Sequence, residues 1–160
     1  MPAGDGFGIF YRRWNSVGEP KRAVVCVHGI EAHSGFFKTL GTEMAKEGSE
    51  VYAFDRRGFG NSVEEGLSRG DTKDFKRHLQ DFDDFVAFVK KSHPSKKVFM
   101  LGHSIGSAYA LWFAASRPDA LDGIILAAPP VIPTTKPPIS DTIKFPFLLI
   151  FAVHLCPSSS

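Results

Sequence analysis

A strand-like run, Val98-Phe99-Met100-Leu101, passes directly into the helix-like Ser107-Ala-Tyr-Ala-Leu-Trp-Phe-Ala-Ala115, with only Gly102-His103-Ser104-Ile105-Gly106 between them. A strand and a helix joined this tightly must approach each other closely at the joint. Glycine lacks the Cβ that would obstruct the approach, so Gly102 and Gly106 are the residues that permit it. The residue between them is forced into a strained backbone, with its side chain projected above the sheet edge. There the free N–H groups and dipole of the following helix favour negative charge. A serine in that place, Ser104, is a candidate nucleophile on a strand-to-helix elbow. The bland alternative is a helix N-cap beside two incidental glycines.

The surrounding pattern supplies the sheet that such an elbow needs. Short apolar runs alternate with longer helical patterns, which predicts a mostly parallel sheet covered by helices. Strands are expected at Gly8 to Trp14, Ala23 to Val27, Glu50 to Phe54, Val98 to Leu101 and Gly123 to Ala127. Ala23 to Val27 is a continuous apolar run, as for a strand buried on both faces. A helix is predicted over Phe36 to Glu47, with Phe36, Leu40, Met44 and Ala45 on one face and Gly48 as its stop. A second covers Asp74 to Lys91, where Phe75, Leu79, Phe82, Phe85, Val86 and Val89 recur at helical spacing opposite Asp81, Asp83 and Asp84. The third runs from Ile105 to Ser116, ended by Arg117-Pro118. After Pro129-Pro130 the prolines of Val131 to Pro138 break the pattern, placing a boundary between a core, 1–128, and a segment, 129–160.

Composition excludes several classes. The chain has 160 residues, 43% hydrophobic and 22% charged, enough to bury a core, and its net charge of +2 is too small for a nucleic-acid footprint. Its two cysteines, Cys26 and Cys156, have neither metal-ligand spacing nor the density of a disulfide scaffold, so no metal is expected and a reducing, cytoplasmic setting is. The N-terminus lacks the pattern of a signal peptide. The longest apolar stretch, Phe145 to Cys156, is too short to span a bilayer.

Three stretches, in this order and each after a predicted strand, resemble those of a known family. They are Val27-His28-Gly29-Ile30-Glu31-Ala32-His33-Ser34-Gly35-Phe36-Phe37, Asp55-Arg56-Arg57-Gly58-Phe59-Gly60-Asn61-Ser62, and Gly102-His103-Ser104-Ile105-Gly106. They resemble the α/β-hydrolases, and within them the monoacylglycerol lipase and lysophospholipase branch, also known as serine aminopeptidase S33. The resemblance covers about residues 8 to 130. It implies an α/β-hydrolase fold, a mostly parallel sheet with helices on both faces, here truncated after the sixth strand of that fold. It implies a serine esterase or lipase with Ser104 as nucleophile, the backbone N–H groups of Ile30 and Ile105 as oxyanion hole, and His28, Gly29, Gly102 and Gly106 as support. The implied substrate is a small lipid or ester such as a monoacylglycerol or lysophospholipid. No cofactor is implied. Residues 129–160 become the start of a cap, whose apolar part could receive acyl chains and touch a membrane surface, or pack in the core.

The rest of a triad is harder to find. His28 is expected to orient the oxyanion loop, His103 to point away from the nucleophile's side, and His33 either to line the substrate entrance or to sit on a surface loop. His78 and His93 are expected to face solvent, Asp55 to satisfy loop amides, and the carboxylates at 81, 83 and 84 to form a solvated helix face. In this fold the acid and histidine follow the serine in the chain. After Ser104 the chain offers Asp119, Asp122, Asp141 and His154, none well placed. The chain therefore reads as the N-terminal half of a serine hydrolase, inactive by itself. Two alternatives stay open: another chemistry of the same fold, such as a peptidase or thioesterase, or a non-catalytic module that buries its open sheet edge against a partner.

Overall fold

The computed structural model describes residues 1–74 and 76–130, and the backbone of 150–153. Six strands form one sheet: β1 (Tyr11–Trp14), β2 (Arg22–Val27), β3 (Ser49–Phe54), β4 (Lys97–His103), β5 (Gly123–Ala127) and β6 (Ile150–Val153), in the spatial order β1-β3-β2-β4-β5-β6. The four central strands are parallel, while β1 and β6 pair antiparallel at the two edges. The helices are α1 (Lys38–Lys46), preceded by a 3-10 turn at Ser34–Phe37, then α2 (Arg77–Ser92) and α3 (Ile105–Ser116).

The apolar run of β2 is divided between two cores. Ala23, Val25 and Val27 join Phe54, Met100 and the inward sides of α2 and α3, whereas Val24 and Cys26 join Phe37, Val51, Ala53 and Leu101 on the opposite face. Alternation of side chains across a strand buried on both faces accounts for this division.

Several expectations change in detail. The first strand begins at Tyr11 rather than Gly8, because the Phe10 amide donates to Ser62 Oγ at 2.9 Å and Gly8 pairs with Pro2 instead. The first helix buries Phe37, Gly41 and Ala45, spaced four apart, and leaves Phe36 and Leu40 54% and 40% exposed. Gly41 selects that face: a Cβ there would lie 2.6 Å from the Trp14 ring, so only glycine lets the helix rest on β1. The second helix starts three residues late because the Asp74 carboxylate accepts from the Lys76 amide in a turn. The strand expected to end the sheet, Gly123 to Ala127, is internal, since β6 covers its free edge. Apart from β6, the proposed cap, residues 129–160, falls almost entirely outside the described residues, as do Asp141, His154 and Cys156.

Register fixes where the functional loops meet. Val27 is level with Phe54 and with Gly102, and His103 is level with Ala127. The carboxyl ends of four parallel strands thus lie together, and the segments beginning at His28, Asp55, Ser104 and Ala128 emerge side by side. Crevices at such strand ends are where open α/β sheets bind ligands.

Candidate active site

Ser104 sits between β4 and α3 with φ 53° and ψ −127°, a conformation that non-glycine residues rarely adopt. The steric demand expected of the flanking glycines is present. A Cβ on Gly102 would lie 2.3 Å from the Gly106 carbonyl oxygen, and one on Gly106 would lie 2.2 Å from the Val27 carbonyl oxygen. The strain is held by named bonds. The Ser104 amide donates to Ala127 O at 2.9 Å, and the Ser107 amide donates to Ser104 O at 2.8 Å. The buried Ser107 hydroxyl is shared between Gly102 O at 2.8 Å and Ala127 O at 3.0 Å, tying β4, β5 and α3 together at the elbow. In the sequence Ser107 stood out only as a small residue where many relatives of the resembled family carry a second glycine. Its signal was a polar side chain on the first turn of an otherwise apolar helix.

Gly29 lies directly against the elbow, where a Cβ would meet the Ser104 Cβ at 3.1 Å. Its carbonyl is held from two directions, by His28 Nδ1 at 2.8 Å and by Arg56 Nη2 at 3.1 Å. His28 Nε2 accepts from the Arg56 amide at 3.0 Å, so the ring's proton is on Nδ1 and both nitrogens are committed. Burial, helped by the Arg56 charge, lowers the His28 pKa to about 4, and the ring is neutral near pH 7. Because the Gly29–Ile30 peptide is trans and planar, the Ile30 N–H points opposite to that anchored carbonyl. Ile30 itself is 70% exposed, beside a cleft of about 540 Å³ that His33, Phe59 and Arg69 also line. His33 therefore belongs both to a loop and to this cleft, and its Nδ1 accepts from the Gly35 amide at 3.1 Å.

The other titratable groups find structural work. Asp55 is fully buried and accepts from the Ser34 amide at 2.5 Å and the Asn61 amide at 2.8 Å, which organises both loops as expected. Two expectations fail. Asp81 is 1% exposed rather than solvated, and it takes a bidentate ion pair from Arg57 at 2.9 and 2.7 Å. His78 is 3% exposed, and burial beside Arg56 and Arg57 brings its pKa to about 4. The physical reason is common to both. The loop after β3 lays Arg57 over the polar side of α2, where it also meets Asp5 and Glu64. His93 is half-buried and pairs with the Tyr52 hydroxyl at 2.9 Å. Asp122 accepts from the Val98 amide at the start of β4, the end of the sheet away from Ser104. Burial pushes the Cys26 thiol up to about 12, which keeps it unreactive. Among the described residues no cluster of three or more His, Cys, Asp or Glu could hold a metal, and no helix is long and apolar enough to cross a membrane.

Residues 18–159 match the family described as Serine aminopeptidase, S33. The chain belongs to that family. It is 34% identical over 140 residues to a rat protein named monoglyceride lipase, covering 88% of this chain and 45% of the relative. It is 30% identical to a monoacylglycerol lipase of Mycolicibacterium smegmatis, covering 79% of this chain and 44% of that one. The chain thus spans a little under half the length of these relatives. Among solved structures, a Paleococcus ferrophilus monoacylglycerol lipase superposes with a TM-score of 0.65 at 28% identity, covering 85% of this chain and 49% of that one. A thermostable carboxyl esterase from Bacillus coagulans superposes with a TM-score of 0.71 at 26% identity, covering 79% and 42%. The family and these neighbours make the fold an α/β-hydrolase, in the monoacylglycerol lipase and lysophospholipase branch, and the relatives and structures named here are lipases and an esterase.

Proposed function

We propose that the complete protein is a serine hydrolase that cleaves a single acyl ester, of a monoacylglycerol or a lysophospholipid, through an acyl-enzyme on Ser104. The observation that carries this reading is the strained Ser104 backbone at the β4–α3 junction, packed against Gly29. Strain at this serine, maintained by two obligatory glycines and a buried Ser107, has a use if the hydroxyl must be presented to a ligand.

The steps follow from the groups present. Ser104 Oγ attacks the ester carbonyl carbon as its proton passes to a general base. The carbonyl oxygen becomes an oxyanion, to which the N–H groups of Ile30 and Ile105 donate; Ile105 opens α3, so its N–H and the helix dipole both favour the charge. Collapse of the intermediate breaks the ester bond, and the base returns the proton to the departing alcohol. Water then attacks the acyl-enzyme, releasing a carboxylic acid and restoring Ser104. His28 cannot be the base, since both its nitrogens are engaged. The base and its acid partner are assigned to the complete protein, outside the described residues. The exposed Ile30 and Phe36 side chains, near Gly29 and His103, supply apolar surface for an acyl chain.

The test is a substrate panel on the complete protein: monoacylglycerols and lysophospholipids of graded chain length, thioesters and aminoacyl amides. Preferred turnover of a single-chain glycerol ester, abolished by Ser104→Ala, is the expected result. Preference for aminoacyl amides or thioesters would replace the substrate assignment, and turnover that survives Ser104→Ala would remove the mechanism.

A further inference from the structure

Neighbouring arginines on the loop after β3 have opposite electrostatic situations. Arg57 meets three carboxylates, those of Asp81, Glu64 and Asp5. Arg56 is equally buried, and among the described residues no carboxylate lies within 4 Å of it. Its guanidinium instead lies by the rings of Phe59 at 4.2 Å and Tyr109 at 4.7 Å, donates to the Tyr109 hydroxyl, and through Nη2 donates to Gly29 O at 3.1 Å. A buried cation without a counter-charge is costly, and aromatic rings with one neutral hydroxyl and one neutral carbonyl offset only part of that cost. Such a group persists where an anion forms nearby, and the next residue along from the carbonyl it holds is Ile30.

We propose that Arg56 is the positioning residue of the oxyanion site. Its side chain fixes the Gly29 carbonyl, its backbone N–H fixes the tautomer of His28, and the two together set the direction of the Ile30 N–H before substrate arrives. Its unpaired charge polarises the Gly29–Ile30 peptide, so that the N–H donates more strongly as the oxyanion develops. The favourable effect arises in the transition state and not on substrate binding, because the ground-state carbonyl carries little charge. The aromatic faces keep the guanidinium dry and prevent a water from taking its place at Gly29 O.

The proposal rests on Ser104 being the nucleophile, and its test separates the two. In the complete protein, kcat and KM are measured with the preferred ester for wild type, Arg56→Met, Arg56→Lys and Ser104→Ala, each checked for folding by circular dichroism and thermal melting. Removing an oxyanion donor outright typically costs 100-fold or more, so loss of its support is expected to lower kcat by about 10- to 100-fold in Arg56→Met. KM stays within about twofold, and Arg56→Lys recovers part of the loss. A folded Arg56→Met with wild-type kcat overturns the proposal while leaving Ser104 in place. Equal rises in KM for both variants, tracking their melting points, would make Arg56 merely structural and also overturn it. If Arg56→Met does not fold, Arg56→Gln takes its place, retaining a donor but losing the charge, with the same expectation for kcat. Full turnover in Ser104→Ala overturns the underlying mechanism, and the proposal with it.

Discussion

Replacing Gly102 by alanine tests the elbow without requiring catalysis. The added Cβ would lie 2.3 Å from Gly106 O, 2.5 Å from Gly106 C and 2.6 Å from Ser107 Cα, all backbone atoms, so no side-chain rotation relieves the overlap. The nearest of these is roughly 1 Å inside ordinary contact distance. The start of α3 must therefore move off β4 by a comparable amount, against the Ser107 bonds to Gly102 O and Ala127 O. Overpacking of a well-filled interior costs typically 1–3 kcal/mol, and backbone overlap without rotamer relief belongs at the upper end, about 3 kcal/mol. For a chain of this length, that corresponds to a fall of about 6–12 °C in the melting midpoint. Gly8→Ala is the control, since nothing lies within 4 Å of its Cβ and its φ is not positive. Thermal melts of both variants decide the matter. Equal midpoints for Gly102→Ala and Gly8→Ala would refute the claim that close approach of β4 and α3 selects glycine at 102.

Asp81→Ala leaves Arg57 buried with only Asp5 and the more distant Glu64, and it is expected to cost about 3 kcal/mol in urea unfolding. Lys46→Ala, in the exposed Lys46–Glu43 pair, should cost under about 0.5 kcal/mol by the same assay. Acid should destabilise the fold through His28 and His78, whose pKa falls from 6.5 to about 4 on burial. Between those values the unfolded chain binds more protons. The stability they contribute is therefore complete above about pH 6.5 and lost as pH falls toward 4, up to about 3 kcal/mol for each. Urea midpoints at pH 7.5, 6 and 5 should decline in that order, and His78→Leu should flatten the decline; a flat profile in the unsubstituted protein would contradict the buried, neutral state.

Local features were legible in the sequence, and long-range ones were not. The bounds of α3 and β5 agree with expectation because each is marked within its own few residues, by Pro118 in one case and by an unbroken apolar run in the other. The elbow was legible for the same reason: Gly102, Ser104 and Gly106 constrain one another across five positions. The burial of His78 and Asp81 was not, because periodicity assigns a helix one apolar face and gives the rest to water. It cannot show that Arg57, twenty-four residues earlier than Asp81, folds over that polar side. Likewise Gly41 turned α1 onto Phe37 rather than Phe36 through contact with Trp14 on another strand. Arg56 appeared as one more loop charge, and only the fold sets it beside Gly29 and apart from every described carboxylate.

The account's central claim is that Ser104 is the residue on which the chemistry occurs. The most direct test is to treat the complete protein with a fluorophosphonate and locate the adduct by peptide mass spectrometry, alongside Ser104→Ala. The account predicts a single adduct on the peptide containing Ser104, absent from the variant. An adduct on a different residue, or labelling undiminished in Ser104→Ala, would contradict it.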